Sequence, residues 1–288
     1  MCEYMKEKIF VLDIGGTYTK YAYFIDGNIE ESGKWNTIYD YDKLIEKVSS
    51  TIKPDNLYGI CISSGGFWNK EGISQGFETI ECTADGRFVN FLKEKYHCPV
   101  RIENDARCAS ICQKILGDKS INDFVFFALG SSLGCGVVID GKILRGANNQ
   151  AGSMFAMPEF FDGQKYISDY FANSLKRSKD YSLGKKGDFC FVSEMAKKGD
   201  VKAIEIIDKY CQIVALKAYY ATLMYDIKTI YFGGAISQNK DLFDKINYEY
   251  EKLSTLHSGK KQATLEISAF KEEANLLGAY FLIKDMQI

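Results

Sequence analysis

The 288-residue sequence predicts an α/β protein built as two related domains. Three observations carry this reading. Apolar, β-rich runs alternate along the chain with segments of helical periodicity. An order of strand, small-residue turn, strand, Asp-Gly turn and strand occurs twice, first from Lys8 and again from Asp123, which points to two halves of one design. The length, finally, is long for one hydrophobic core and comfortable for two.

KIFVLDI (8–14) is apolar and β-rich, Gly15-Gly16 breaks it, and TKYAYFI (19–25) resumes it. Asp26-Gly27-Asn28 then reads as a hairpin turn into a third strand. Residues 41–53 place apolar side chains at helical spacing, and LYGICIS (57–63) is a buried-strand run. A Gly-rich stretch from Ser63 to Gly76, a short helix over 88–96 and strand PVRIE (99–103) follow. A helix starts at about Asn104 and ends near Gly117, a C-cap candidate. In the second half, DFVFFAL (123–129) meets the loop GSSLGCG and then VVIDGKILRG, whose Asp140-Gly141 is a type I′ hairpin signal. Residues 201–226 form the longest helical segment, apolar around much of its circumference and so expected at the centre of a domain. Strand KTIYF, Gly233-Gly234, a helix over 241–254, strand ATLEIS and a last helix over 272–284 complete the chain. The expected domains are 1–118 and 119–271, with the terminal helix 272–288 packing back on the first.

Composition excludes several functions. With 36 basic and 38 acidic side chains the net charge is −2, which gives no footprint for nucleic acid or an anionic membrane. No stretch reaches the ~20 apolar residues of a membrane span, and MCEYMKEKIF has no apolar leader core, so a cytoplasmic location is expected. The nine cysteines include no CxxC pair and read as reduced thiols, mostly in the core. His97 and His257, the two histidines, stand outside any ligand-like cluster, so no zinc site is expected.

Three small-residue turns cap apolar strands. Asp13-Ile14-Gly15-Gly16-Thr17 lies between two strands and is not a Walker A loop, because no GxxxxGK[ST] occurs. Its glycines can adopt positive φ and bring backbone N–H groups to an anion, Asp13 is placed to hold Mg²⁺ directly or through water, and Thr17 offers a hydroxyl to a phosphate. A plain hairpin is the alternative for such a turn. Gly130-Ser131-Ser132-Leu133-Gly134 has the same character, and Gly233-Gly234 follows the strand KTIYF directly. Jointly the three turns are what a nucleotide cleft requires. Asn104-Asp105 stands where a strand gives way to a helix. The helix N-terminus favours an ionised carboxylate there, and the alternative role for Asp105 is an N-cap. Glu103 points to the other side of the strand end and reads as structural.

VLDIGGTYTKYAYF, IENDARCA, ALGSSLGCGVVIDGKILRGANNQAG, IYFGGAIS and ANLLGAYFL resemble, in order and spacing, the ROK family of repressors, open reading frames and sugar kinases. The resemblance spans nearly the whole chain. It implies a two-domain actin-like ATPase fold with ATP, Mg²⁺ and a sugar meeting in an interdomain cleft. It implies that Asp13, Gly15, Gly16 and Thr17 form the first phosphate motif, that Gly130, Ser131 and Ser132 form the second, and that Gly233-Gly234 lies against the adenosine. Asp105 would be the base that activates a sugar hydroxyl, with O6 the family expectation, and Asn104, Gly65, Gly66 and Ser153 would border the sugar. The core begins at about residue 8, which leaves no room for the winged helix of the repressors and favours the kinase branch. A homodimer is a family expectation.

The sequence departs from that pattern at one place. Many relatives follow the GxxxAG stretch with Glu-x-Gly-His, whose polar side chains hold the sugar near C1 and C2; here Ser153, Met154, Phe155 and Ala156 stand instead. The Cys-rich zinc segment is also missing, so the chain resembles the zinc-free branch that includes bacterial β-glucoside kinases. Two readings follow. Ser153 and Ala156 open space for an aglycone, a second sugar or an N-acetyl group, with Met154 and Phe155 in apolar contact. Alternatively the loop has drifted, Met154 and Phe155 are core, and the protein is a non-catalytic sugar- or nucleotide-binding regulator.

Overall fold

The structure is a computed structural model that describes residues 7–53, 56–130, 133–157, 159–161, 164–166, 189–258 and 262–284. The run Lys8–Ile14 (β1) is buried at every position after Lys8, as a strand covered on both faces must be. Tyr18–Ile25 (β2) pairs antiparallel with β1, and Asn28–Asn36 (β3) pairs antiparallel with β2. Asp26 and Gly27 between them have φ of +49° and +90°, the two positive values a type I′ turn demands. Tyr41–Thr51 (α1) starts at its N-cap Asp40, whose side chain accepts the Lys43 N–H at 3.0 Å, and ends two residues short of the sequence expectation. Leu57–Ser64 (β4) joins β1 in parallel on its other side. After Arg87–Tyr96 (α2), Val100–Asn104 (β5) joins β4 in parallel, so the sheet runs β3-β2-β1-β4-β5. Asp105–Leu116 (α3) follows β5 with no intervening loop. Phe10, Leu12 and Ile14 point to one face of the sheet and pack with Leu44 and Val48 of α1 and with Phe88, Val89 and Leu92 of α2.

The second half repeats this connectivity. Phe124–Leu129 (β6) and Leu133–Ile139 (β7) are antiparallel, and the turn into Lys142–Ile143 (β8) again has two positive φ values, +51° at Asp140 and +68° at Gly141. Glu159–Phe161 (β9) and Gln164–Tyr166 (β10) form a separate antiparallel pair. Beyond Phe189–Lys197 (α4), Val201–Tyr225 (α5) is capped by Asp200 and buried at most positions from Tyr210 to Thr222. Thr229–Gly233 (β11) pairs in parallel with β6, and after Lys240–Ser258 (α6) Thr264–Ile267 (β12) pairs in parallel with β11. The pattern β7-β6-β11-β12 of one antiparallel and two parallel pairings is thus the pattern of β2-β1-β4-β5.

Ala274–Lys284 (α7), preceded by a short 3₁₀ turn at Lys271–Glu273, ends the described chain. Leu276, Ala279 and Tyr280 pack with Ile9 and Val11 of β1, Cys61 of β4 and Cys108 of α3, the face opposite α1 and α2. The chain segregates into two units: Met1–Ser120, Lys142–Ala151 and Glu273–Ile288 form the first, and Ile121–Gly141 with Gly152–Glu272 forms the second. Among the described residues no helix is long and apolar enough to cross a membrane. All the cysteines described as free are buried or half-buried; burial pushes the Cys112 and Cys211 thiols up to about 12, which suits packing and not reactivity.

The α3–α7 contact depends on one glycine. A Cβ on Gly278 would lie 1.6 Å from the Cys108 carbonyl oxygen, so the two helices meet backbone to backbone. Gly278→Ala is expected to cost about 3 kcal/mol, because the backbones must separate. Urea unfolding checks this as a lowered midpoint at unchanged slope; a loss under about 0.5 kcal/mol would show that the contact is dispensable.

Candidate active site

The parallel strands of the first sheet bring their carboxyl ends into line. Asp13 of β1 is registered against Ser63 of β4, Ser63 against Glu103 of β5, and Ser64 against Asn104. Ligands in open α/β sheets bind at such carboxyl ends. Asp13 is 7% exposed, and its Oδ1 accepts hydrogen bonds from Ser63 Oγ at 2.8 Å and from Asn275 Nδ2 of α7 at 3.3 Å. Burial pushes the Asp13 carboxyl up to about 6; the bond from Ser63 opposes the rise, the nearby Asp105 charge adds to it, and Lys20 and Asn275 oppose it further.

Asp105 is the first residue of α3 and is not its cap. Asn104 is the cap: its Oδ1 accepts the Arg107 N–H at 3.1 Å, while its Nδ2 donates to the Gly66 carbonyl at 2.9 Å. Asp105 Oδ1 accepts the Ala106 N–H at 2.8 Å. Burial raises the Asp105 carboxyl above the ordinary aspartate value and backbone amides hold the rise back. Glu103 is 5% exposed, accepts the Asn104 N–H at 2.9 Å and pairs with Arg107 and Arg145.

The glycines differ from the sequence expectation in instructive ways. Gly15 and Gly16 do not adopt positive φ; the Gly15 N–H is taken by the Tyr18 carbonyl at 3.1 Å, and the Thr37 hydroxyl donates to the Gly15 carbonyl at 2.6 Å. Gly16 and Thr17 are exposed. Gly65 and Gly66 are buried because Thr79 and Glu78 cross over them: a Cβ on Gly65 would lie 2.0 Å from Thr79 Oγ1, and Gly66, at φ +113°, would meet Glu78 Cα at 2.8 Å. A cavity of about 790 Å³ borders Trp68, Glu103, Arg145 and Asn149, but Gly65, Gly66, Asn104 and Asp105 do not line it.

In the second unit, Gly130 is exposed at the end of β6, and Ser131 and Ser132 lie outside the described residues. Gly233 and Gly234 approach their own sheet: added Cβ atoms would lie 2.4 Å from the Phe126 ring and 2.5 Å from the Leu129 carbonyl oxygen. Ser153 is half-buried ahead of the 3₁₀ turn Met154–Ala156. Met154 is 3% exposed in the core and Phe155 packs against that core, so neither supplies the apolar contact to a ligand that an opened pocket would use; Ala156 is exposed. Asn275 is the functional side chain that the sequence reading passed over, although it lies inside the quoted ANLLGAYFL segment.

The residues present suit a divalent cation. Asp13 is a buried carboxylate beside a second carboxylate, and a cation removes the electrostatic cost of ionising it. Among the described residues no cluster of three or more His, Cys, Asp or Glu side chains could cage a metal, so water and phosphate oxygens would complete the coordination at Asp13.

The model of the ROK family matches residues 9–165 and 172–286. The β-glucoside kinase of Listeria monocytogenes is 25% identical over 295 residues, covering 95% of this chain and 96% of the relative. The N-acetylmannosamine kinase of Vibrio cholerae is 24% identical over 294 residues, covering 96% and 100%. Among solved structures, a ROK family protein from Streptococcus pneumoniae in complex with sucrose superposes with a TM-score of 0.81 at 21% identity, covering 96% of this chain and 99% of that one. A ROK family glucokinase from Streptomyces griseus in complex with glucose and AMPPNP gives 0.77 at 18% identity, covering 96% and 98%. The fold is therefore the actin-like ATPase fold of these sugar kinase structures.

Asp13 gives the site a pH-dependent stability of defined sign. Its folded pKa of about 6 lies above the value of 3.8 for a solvated aspartate, so the folded chain binds more protons between the two. Stability falls as pH rises through that window, by on the order of 3 kcal/mol in full. Asp13→Asn is expected to stabilise the metal-free protein at pH 8 and to leave it unchanged near pH 3, checked by denaturant unfolding at both. Equal effects at the two pH values would show that the carboxyl is not strained by burial.

Proposed function

The chain belongs to the ROK family, and on that premise we propose that it is an ATP-dependent sugar kinase that phosphorylates a hexose or hexose derivative, with Asp105 as general base. The observation that carries the reading is a pair of carboxylates, the buried Asp13 and the half-buried Asp105, at the carboxyl ends of parallel strands in one unit, each with its pKa raised by desolvation. A base is most useful when its pKa has moved toward the working pH while it remains largely ionised, and base assistance contributes roughly 10²–10⁴-fold.

In the proposed reaction Asp105 accepts the proton of a sugar hydroxyl, O6 by family expectation, as that oxygen attacks the γ-phosphorus of ATP in line, the bond from that phosphorus to the β,γ-bridging oxygen breaks, and ADP leaves. The Ala106 N–H holds Oδ1, which orients the carboxylate and leaves Oδ2 for the hydroxyl. Asn104 has one N–H and one lone pair of its amide to spare after capping α3 and binding Gly66, enough to position a neighbouring hydroxyl. Asp13 would hold Mg²⁺, with Ser63 and Asn275 fixing its carboxylate. Mg²⁺ supplies neutralisation of the phosphate charge. Because the Gly15 N–H is committed to Tyr18, the phosphate donors of the first turn are assigned to Gly16 and Thr17, with Gly15 keeping the turn tight. Gly130, Ser131 and Ser132 are assigned to the phosphates in the second unit, and Gly233-Gly234 to the adenosine.

For the substrate we favour a β-glucoside, a disaccharide or an N-acetylhexosamine over free glucose. Ser153 and Ala156 lack the bulk and charge that would grip bare hydroxyls at C1 and C2, and the similarity to a β-glucoside kinase and an N-acetylmannosamine kinase supports the same classes. The same two residues, with Met154 and Phe155 in or against the core, favour a second reading, a non-catalytic sugar- or nucleotide-binding regulator.

ADP release with Mg-ATP against free hexoses, N-acetylhexosamines, β-glucosides and disaccharides separates the two. Sugar-dependent turnover is expected, strongest on a C1- or C2-substituted sugar and lowered at least about 10²-fold in Asp105→Asn. Turnover on no sugar, with ATP still bound, would favour the regulator, and turnover undiminished in Asp105→Asn would overturn the base.

A further inference from the structure

Arg107 is the largest fully buried side chain of the described protein, at 0% exposure, and lies in the first turn of α3 two residues beyond Asp105. A guanidinium carried wholly out of water is costly unless its charge and its N–H groups are matched. Here Nη1 pairs with Glu103 Oε1 at 3.4 Å, Nη2 donates to the carbonyls of Asn149 at 3.0 Å and Ala151 at 3.1 Å, and the charge lies 5.0 Å over the Phe67 ring. Glu103 is shared: its Oε2 pairs with Arg145 at 2.9 Å, and its Oε1 also accepts the Asn104 N–H.

These bonds join three segments of the first unit. Asn104 Nδ2 holds the Gly66 carbonyl, Asn149 Nδ2 holds the Trp68 carbonyl, and Gln150 Nε2 holds the Gln75 carbonyl at 2.7 Å. Side chains from the 103–107 corner and from the 145–151 loop thus grip backbone carbonyls of the 65–76 loop and of one another. The 65–76 loop starts with the glycines assigned to the sugar, and the 145–151 loop runs into Ser153 two residues later. Asn104-Asp105, the proposed catalytic corner, lies between Glu103 and Arg107 in the chain.

We propose that Glu103 and Arg107 are positioning residues for sugar binding: they clamp the 145–151 loop and the 65–76 loop onto the strand–helix corner that carries Asp105. This inference rests on the sugar-kinase reading for its consequence in catalysis. A buried ion pair can often be exchanged for apolar side chains without loss of stability. What apolar replacements cannot supply is the grip of one guanidinium on two carbonyls of the 145–151 loop. The clamp therefore acts on geometry more than on stability, and a displacement of about 1 Å at a reacting centre costs on the order of 10²-fold.

Arg107→Met is the variant that isolates this role, because Glu103 keeps Arg145 as a partner and is not left as an unpaired buried charge. The expected result is a sugar KM raised roughly 10- to 100-fold with the ATP KM changed less than about threefold, and faster amide hydrogen exchange over 145–151. Arg107→Lys, which keeps the charge but not the fork, is expected to rescue neither. Should Arg107→Met fail to fold, Asn149→Gly, which accepts the φ of +58° found there, removes the bond to the Trp68 carbonyl and is expected to give the same sugar-selective rise at smaller size. Sugar and ATP KM values that move together, full rescue by Lys, or unchanged exchange over 145–151 would overturn the clamp. Absence of sugar turnover in the wild type would instead sink the kinase reading, and the exchange comparison would still decide whether Arg107 holds the loop.

Discussion

Two carboxylates, one buried and one half-buried, organise the first unit. Asp13 sits at the carboxyl end of a strand with neighbours on both sides, and its burial leaves it with hydrogen bonds from Ser63 and Asn275 but no direct ion pair among its described contacts. An isolated interior of that kind would exclude a carboxylate, so its persistence asks for a charge that arrives with the ligand. The register of β1, β4 and β5 makes the arrangement possible, because it puts Asp13, Ser63 and Glu103 in one row and hands the next two positions of β5 and α3 to Asn104 and Asp105. The C-terminal helix completes it. Gly278 lets α7 come close to α3, and Asn275, 262 positions away in the chain, donates a hydrogen bond to Asp13.

The two acidic residues of the 103–105 corner are treated in opposite ways. Glu103 is neutralised by two arginines, and so it holds structure. Asp105 receives a backbone amide and, among its described contacts, no arginine; desolvation raises its pKa and its carboxylate stays available. Strand alternation would put residues 103 and 105 on one face; the change of element divides them, because β5 ends at Asn104 and Asp105 already belongs to α3. A strand passing directly into a helix gives this corner its rigidity, since no loop lies between the capping Asn104 and Asp105, the proposed base.

Much of the fold could be read from local chemistry. Both Asp-Gly turns adopt the paired positive φ that their sequence demands, and the long apolar helix is buried where its circumference said it would be. These features are legible because a residue's own backbone preferences fix them. The glycine turns were legible as places of close approach, but the partner was not: Gly233 and Gly234 are small because Phe126 and Leu129 crowd them, and Gly15 keeps negative φ while Tyr18 takes its amide. Arg107, Asn275 and the 145–151 loop were illegible for a different reason. Each acts through contacts with segments tens to hundreds of residues away, and an arginine in ENDARCA looks like any solvated helix residue until its surroundings are known. Ser131 and Ser132 lie outside the described residues.

The loss of the polar anchors at Ser153 and Ala156 also acquires a physical setting. The resemblance leads one to expect a Glu and a His at this place, as in many relatives, and Ser153 and Ala156 supply neither. The loop entering Ser153 is instead fixed by its own backbone, with the carbonyls of Asn149 and Ala151 on Arg107 and the turn after it anchored by Met154 in the core. A drifting loop would have no reason to retain a fully buried arginine, with its desolvation cost, for the purpose of holding two carbonyls. The retained burial of Asp13 argues the same way, because it costs stability that a purely structural domain would shed by substitution to Asn. On the proposed reading, the chain would keep the costly parts of a phosphoryl-transfer site and relax only the contacts that choose the sugar.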